Sequence, residues 1–170
     1  MDFSLENITS IVLVVLTGLS AGLCFTWTNS ITPGIGRLND LGFLQSFQQM
    51  NRTILNPLFF IVFFGPFFLN LLNIYLHRNQ SNQIFWMLVV AGVLYILGVV
   101  VVTILGNVPL NEILDKTDLT RINALELKSL RDRFEGPWNR LHFIRTITAT
   151  TSFILLLITY LQISKSINNL

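Results

Sequence analysis

Four long apolar segments alternate with polar connections along the chain. They cover residues 8–28, 58–76, 84–105 and 143–161. Each segment comes close to the roughly 20 apolar residues that a helix needs to cross the hydrocarbon core of a bilayer. The pattern therefore predicts an all-α fold, an integral membrane four-helix bundle in which residues 1–170 form a single transmembrane domain.

Two of the connections have amphipathic patterns. Residues 38–54 mix leucine and phenylalanine with asparagine and glutamine, and residues 115–135 place apolar side chains at helical spacing between charges of both signs. Such patterns are typical of helices that lie at a membrane surface with one face in water. We expect one or two amphipathic surface helices, and residues 38–54 are also compatible with a re-entrant segment.

Glycine and proline predict where the helices end. Thr-Pro-Gly at residues 32–34 ends the first span, and Gly-Asn-Val-Pro at residues 106–109 ends the third. Gly136 and Pro137 separate the second surface helix from the last span. Proline lacks the backbone N–H of a helix interior, and its ring restricts the residue before it. We therefore expect turns at all of these places.

Composition agrees with a membrane protein. Hydrophobic residues make up 52% of the chain and charged residues 12%, which is far from the balance of a soluble domain. The predicted location is the plasma membrane, or the inner membrane if the source is a bacterium, with membrane lipids as partners. The net charge of +2 and the lack of a basic cluster argue against a nucleic-acid partner. The oligomeric state stays open.

Basic residues are distributed unevenly between the two membrane faces. Two of those near the span ends, Arg78 and Lys165, share a face with the termini. Eight belong to the connections 29–57 and 106–142 at the other face. The positive-inside rule then predicts that these long connections are cytoplasmic.

The inventory of ligand residues predicts no metal and no cofactor. The two histidines, His77 and His142, fall at opposite faces of the predicted bundle, so one chain cannot supply a bis-histidine haem site. The single cysteine, Cys24, has no partner for a disulfide or for a Cys-x-x-Cys site.

Polar residues concentrate at one face of the predicted bundle. Trp138, His142 and Arg145 follow one another at spacings of four and three, so they share one side of the last helix. The parity of the spans brings further polar residues to the same face, namely Asn29, Asn51, Asn107, Asn111 and Asn139.

Two interpretations of this face stay open. In one, its side chains bind a ligand, since helix bundles build their sites from side chains on facing helices. In the other, they anchor the protein: Trp138 lies at the headgroups while Arg52, Arg140 and Arg145 contact lipid phosphates.

Two motifs resemble one family. Gly-Asn-Val-Pro-Leu-Asn at residues 106–111, followed by Trp-Asn-Arg-Leu-His-Phe-Ile-Arg-Thr at residues 138–146, is similar to the paired signature of a bacterial and fungal membrane family. That family includes the anthrone oxygenases of fungal polyketide pathways. Asn51 and the segment 29–34 resemble the first half of the same family.

The resemblance implies a small membrane oxygenase that oxidises a flat phenolic anthrone to a quinone with molecular oxygen, without metal or flavin. His142 is then expected to act as general base and Arg145 to stabilise the resulting anion. Trp138 would stack on the substrate rings. The other substrate-binding candidates are asparagines, which would orient its oxygens: Asn29, Asn51, Asn107, Asn111 and Asn139.

A non-enzymatic function is the alternative. A carrier, a lipid-binding protein or an assembly factor could use the same polar face to hold a headgroup or a partner. Such a protein would need Arg145 and Arg52, but it would not need a group that exchanges a proton at His142.

Overall fold

The fold is a bundle of long helices. The computed structural model describes residues 4–168, and the side chains of residues 4–165. The helices in this range are α1 (Leu5–Ile35), α2 (Asp40–Ile54), α3 (Pro57–Leu76), α4 (Asn82–Lys116) and α5 (Ala124–Asn168). The helices α1, α3, α4 and α5 are long and apolar enough to cross a membrane, and the described residues contain no strand. The prediction of an all-α protein with four membrane helices is confirmed.

The membrane helices pack in pairs around the centre of the bundle. Helix α1 contacts α3 and α5, and α4 contacts α5 and α3. The short connection between α3 and α4 makes these two helices neighbours. Outward-facing side chains such as Leu19, Phe68 and Leu97 are apolar and exposed, because in a membrane they face acyl chains.

Helix α2 confirms the first predicted amphipathic helix. It begins after Asn39, whose side chain accepts a hydrogen bond from the Gly42 N–H at 2.8 Å. Its apolar side buries Phe43, Leu44 and Phe47. Helix α2 packs against the first half of α5 and the end of α4, so it covers one end of the bundle.

The predicted ends of the first and third spans are wrong. Helix α1 runs through Pro33 to Ile35, and α4 runs through Pro109 to Lys116. A π-helical stretch comes just before each proline, at Trp27–Ile31 and Thr103–Asn107. Wider turns with hydrogen bonds to the fifth preceding residue shift the carbonyl groups that a proline ring would otherwise meet, so the chain keeps its helical course.

The predicted break at Gly136 and Pro137 is also wrong. Helix α5 continues through both residues, so the second surface helix and the last span are one helix. Pro137 lies on the exposed side, as does Arg133, whose carbonyl loses its usual N–H partner there. On the opposite side, Phe134 and Trp138 are buried in the same apolar cluster. Packing of this side holds the helix together across the proline.

An aromatic cluster joins three helices at one end of the bundle. Its rings are Trp27 of α1, Phe43 and Phe47 of α2, and Phe134 and Trp138 of α5. Phe47 is central, because its ring centroid lies 4.7 Å from those of both Phe134 and Trp138. Edge-to-face pairs at such distances contribute beyond their buried area. The cluster therefore sets the positions of α2 and α5 relative to α1.

Arg131 of α5 ties down the connection between α1 and α2. Its guanidinium donates to the Gly36 carbonyl at 2.7 Å and to the Leu38 carbonyl at 2.8 Å. It also pairs with Glu135 at 2.7 Å and lies over the Phe43 ring. Because α2 is anchored at its start in this way, its last residues have a defined place above the bundle.

Polar side chains inside the bundle have partners on neighbouring helices. Tyr95, in the middle of the third span, needs a partner for its hydroxyl, and it lies 2.9 Å from both the Ser20 hydroxyl and the Phe63 carbonyl. Ser10 donates to the Asn73 amide oxygen at 2.7 Å. These contacts join α1, α3 and α4 within the apolar region.

Gly98 allows α4 and α5 to come into direct contact. A Cβ atom added at Gly98 would lie 2.5 Å from the Cβ of Thr148, so Gly98→Ala must push the helices apart. We expect a loss of about 1–3 kcal/mol in the free energy of unfolding. Gly22→Ala is the matched control, because nothing lies within 4 Å of its added Cβ. Unfolding in mixed micelles, followed by circular dichroism, gives the free energy of unfolding of both variants. Equal losses in the two variants would contradict the direct contact between α4 and α5.

Candidate active site

A cavity of about 330 Å³ lies at the end of the bundle that α2 covers. The helices α1 to α5 all contribute to its wall. Its apolar part comes largely from the first turns of α3, through Phe59, Phe60, Phe63 and Phe64. Its polar part includes Cys24, Asn51, Arg52, Asn111, Glu112, Asp115, His142 and Arg145.

The cavity brings together five of the residues that the sequence singled out. These are Asn51, Asn111, Trp138, His142 and Arg145. Trp138, His142 and Arg145 therefore share one face of α5, as their spacing predicted. Their roles in catalysis or binding stay predictions, because the geometry shows only where they lie.

The three remaining candidates do not line the cavity. Asn107 is completely buried beside it, and its amide donates to the Trp138 carbonyl at 3.3 Å. Asn29 is exposed within the π-helical stretch of α1, and Asn139 is half-buried on the next face of α5. The parity of the spans predicted the correct end of the bundle for all three residues. It does not determine the direction in which each side chain points.

His142 is held in one orientation. Its Nε2 lies 3.0 Å from the backbone carbonyl oxygen of Cys24, and a carbonyl oxygen can only accept a hydrogen bond. In the neutral ring the proton is therefore on Nε2, and Nδ1 carries the lone pair. Nδ1 is buried and has no hydrogen-bond partner.

Trp138 supports the His142 ring. The two rings stack with centroids 4.8 Å apart and planes 14° apart. The Trp138 Nε1–H donates to the Asn111 amide oxygen at 2.8 Å. Since this bond fixes the indole and the indole covers one face of the imidazole, Asn111 and Trp138 position His142 together.

Three buried polar atoms of cavity residues have no protein partner. They are the Nδ1 of His142, the Nε of Arg145 and the Nδ2 of Asn51. Buried polar groups in proteins are nearly always hydrogen-bonded. Two of these atoms are donors and one has a lone pair, so the set fits a ligand that carries acceptor oxygens and an acidic hydrogen.

Arg145 gives the cavity a positive charge. The ion pairs among the described side chains do not include it. The guanidinium lies beside the Cys24 thiol, a neutral group. A largely buried cation without a carboxylate partner is costly, so an anionic ligand or an anion formed during a reaction would be stabilised here.

An ion pair lies at the edge of the cavity. The Arg52 Nε of α2 contacts the Asp115 Oδ1 of α4 at 2.6 Å, and both side chains are about half exposed. Arg52 also donates to the Asp115 carbonyl at 3.3 Å. The pair connects the ends of α2 and α4 across the polar part of the rim.

Sequence reasoning missed several residues of the site. Cys24 was considered only as a disulfide partner, although its carbonyl orients His142. No role was assigned to the phenylalanines of α3 from the sequence, since their pattern contains no polar position. A run rich in phenylalanine directly after Asn51 and Arg52 was the available signal. Within the described part of the chain, His, Cys, Asp and Glu form no group of three suited to a metal ion.

The fold and the cavity together define a class: a helical membrane protein in which a buried histidine and a half-buried arginine line one largely apolar pocket. Comparison with known families agrees with that class. The sequence model of the anthrone oxygenase family matches residues 53–155, and the chain belongs to this family. The match covers α3, α4 and the part of α5 that carries Trp138, His142 and Arg145. No curated protein and no solved structure matches the chain.

The hydrogen bond between Trp138 and Asn111 is open to a direct test. Trp138→Phe keeps an aromatic ring on His142 but removes the Nε1–H donor, and we expect it to cost about 1 kcal/mol of unfolding free energy beyond the lost ring area. Asn111→Ala removes the other partner. In a double-mutant cycle the two costs should not add, because both changes remove one bond. Additive costs measured by unfolding in micelles would show that the bond contributes nothing.

Proposed function

We propose that this protein is an oxygenase that converts a membrane-soluble anthrone to the corresponding quinone with molecular oxygen. The observation that carries the proposal is the buried, unpartnered Nδ1 of His142, a residue that lines the cavity together with Arg145. Membership of the anthrone oxygenase family supports the same reaction class. In a bacterium we would place the protein in the inner membrane, with its long connections in the cytoplasm.

The first step needs a base and a site for an anion. Nδ1 of His142 takes a proton from the methylene carbon of the anthrone, and the electron pair left behind spreads over the rings and the ketone oxygen. Arg145 and the Asn51 amide supply N–H donors for the oxygens on which negative charge accumulates. Donors placed in advance in a dry site stabilise such charge more than water does.

The remaining steps use the electrons of the substrate. The anion gives one electron to dioxygen, and the two radicals combine to form a carbon–oxygen bond. The imidazolium of His142 returns its proton, which gives a hydroperoxide. Loss of the second methylene proton with cleavage of the O–O bond then leaves a ketone and water. One oxygen atom enters the product and the other leaves as water, so no further reductant is needed.

The apolar wall suits a flat aromatic ligand. Phe59 and Phe63 of α3 stack at a centroid distance of 5.4 Å, and both line the cavity. Trp138 has one face against His142, so we assign it to holding the base and assign contact with the substrate rings to the phenylalanines. Asn111 borders the cavity while bonded to Trp138, and Asn107 and Asn139 would act on the substrate only indirectly.

Oxygen uptake by membranes supplied with emodin anthrone tests the function. We expect His142→Gln to lower the protein-dependent rate by about 10²- to 10⁴-fold, which is the usual contribution of a general base. His77→Gln is the matched control, because His77 is equally buried but bonded to Asn73 outside the cavity. Its rate should stay near that of the unchanged protein. Membranes without the protein correct for spontaneous oxidation.

Other results would point to the non-enzymatic alternative. If uptake is the same with and without the protein, the oxygenase proposal fails for this substrate class. If the Arg145→Gln variant no longer binds a lipid or other anion while the His142→Gln variant binds it normally, the protein is a carrier or a lipid-binding protein instead. Both variants should be compared for folding by circular dichroism.

A further inference from the structure

We propose that the ligand reaches the cavity sideways, from the acyl chains of the bilayer, through an opening between α3 and α4. We call this the lateral opening and define it by Leu55, Phe60, Ile104 and Val108. The inference rests on the proposed function for the chemistry of the ligand. It restricts the substrates to anthrones that are neutral and dissolved in the lipid.

The four side chains of the lateral opening both line the cavity and are exposed. Each of them lines the cavity, yet each is exposed, from 37% for Val108 to 64% for Leu55. A side chain that borders a cavity and is also exposed lies at its edge. All four are apolar, and Phe60, Ile104 and Val108 belong to membrane helices. The edge that they form therefore faces hydrocarbon rather than water.

Helix α4 loses its contact with α3 toward its end. Its first part, up to Val101, packs against both α3 and α5. Beyond that point, Thr103–Asn107 packs against α5, and Val108–Lys116 packs against α2 and α5. The π-helical stretches Ile96–Val101 and Thr103–Asn107 lie where the contact with α3 ends and the contact with α5 continues. Helix α4 thus turns away from the start of α3, and the phenylalanines of α3 border the space between them.

An ion pair bridges the polar part of the rim. Arg52 and Asp115 join α2 to α4 at 2.6 Å on the side of the surface helices. A charged ligand that comes from the headgroup region would have to part this pair. A neutral ligand that comes from the lipid enters past Leu55, Phe60, Ile104 and Val108, which are all apolar, before it reaches His142 and Arg145.

This geometry separates the place of binding from the place of ionisation. The neutral anthrone enters through apolar contacts and loses its methylene proton to His142 only inside the cavity. There Arg145 stabilises the anion, which cannot return to the lipid. The neutral quinone formed from it can leave by the same opening. Substrates that are already charged, such as carboxylated or sulfonated analogues, should be excluded.

Cys24 is a built-in reporter for this route. It is the single cysteine of the chain, and it lines the cavity while being buried. Protein in lipid vesicles would be treated with N-phenylmaleimide, which enters lipid, or with a sulfonated phenylmaleimide, which does not. Mass spectrometry gives the labelling rate without any need for catalysis. We expect the neutral reagent to react at least about tenfold faster, which corresponds to a barrier difference of about 1.4 kcal/mol.

Variants of the lateral opening give the sharper result. Ile104→Trp should slow labelling by the neutral reagent about tenfold, since it fills the gap. Leu105→Trp is the matched control: it is the next residue of the same stretch, 74% exposed, and does not line the cavity. Its labelling rate should be unchanged. Val108→Phe provides a second, milder block if Ile104→Trp does not fold, as judged by circular dichroism.

The ion pair supplies the opposite test. Asp115→Asn should leave the neutral reagent unaffected and should increase labelling by the sulfonated one. The lateral route is wrong if Asp115→Asn changes the rate at which the neutral reagent labels Cys24. It is also wrong if Ile104→Trp and Leu105→Trp change that rate equally. An unreactive Cys24 in the unchanged protein would also overturn it. Oxygen uptake by the unchanged protein would still test the oxygenase, so the two proposals can fail separately.

Discussion

The stack of Trp138 on His142 is the contact on which the site depends. It holds the imidazole at one depth in the bundle, where one ring nitrogen, Nδ1, is buried without a hydrogen-bond partner. The stack is possible because Trp138 also belongs to the aromatic cluster with Trp27 and Phe47. That cluster carries α2 and holds α5 helical through Pro137. One set of aromatic contacts thus builds the end of the bundle and orients its reactive group.

The spans could be predicted from the sequence because lipid imposes a simple rule. A helix that crosses a bilayer needs a long apolar stretch whatever its neighbours are, so hydropathy alone identified the four membrane helices. Helix ends depend on local chemistry that packing can override. At Pro137 burial of Phe134 and Trp138 prevailed over the proline signal. At Pro33 and Pro109 a π-helical turn accommodated the ring, and no residue pattern announces such a turn.

The site was predictable to the extent that it lies on one helix. Trp138, His142 and Arg145 share a face of α5 because of their spacing, and this was visible without a structure. Cys24 contributes a backbone carbonyl, which any residue type could supply, so its part in the site has no sequence signature. The direction of Asn29 or Asn139 depends on how its helix is rotated in the bundle. That rotation is decided by contacts between distant parts of the chain.

The π-helical turns of α4 have a consequence for how such a protein can change over evolution. Each turn accommodates one residue more than the regular helix, so it acts as an insertion that the helix absorbs without a loop. The residues before Ile96 keep their register against α3 and α5, whereas those after Asn107 present a face that is rotated from the one a regular helix would show. Gain or loss of one residue here would rotate Asn111 and Asp115 to another direction. The packing of the residues before Ile96 against α3 and α5 would stay intact. The pocket end of α4 can therefore diversify separately from the part that keeps the protein folded in lipid.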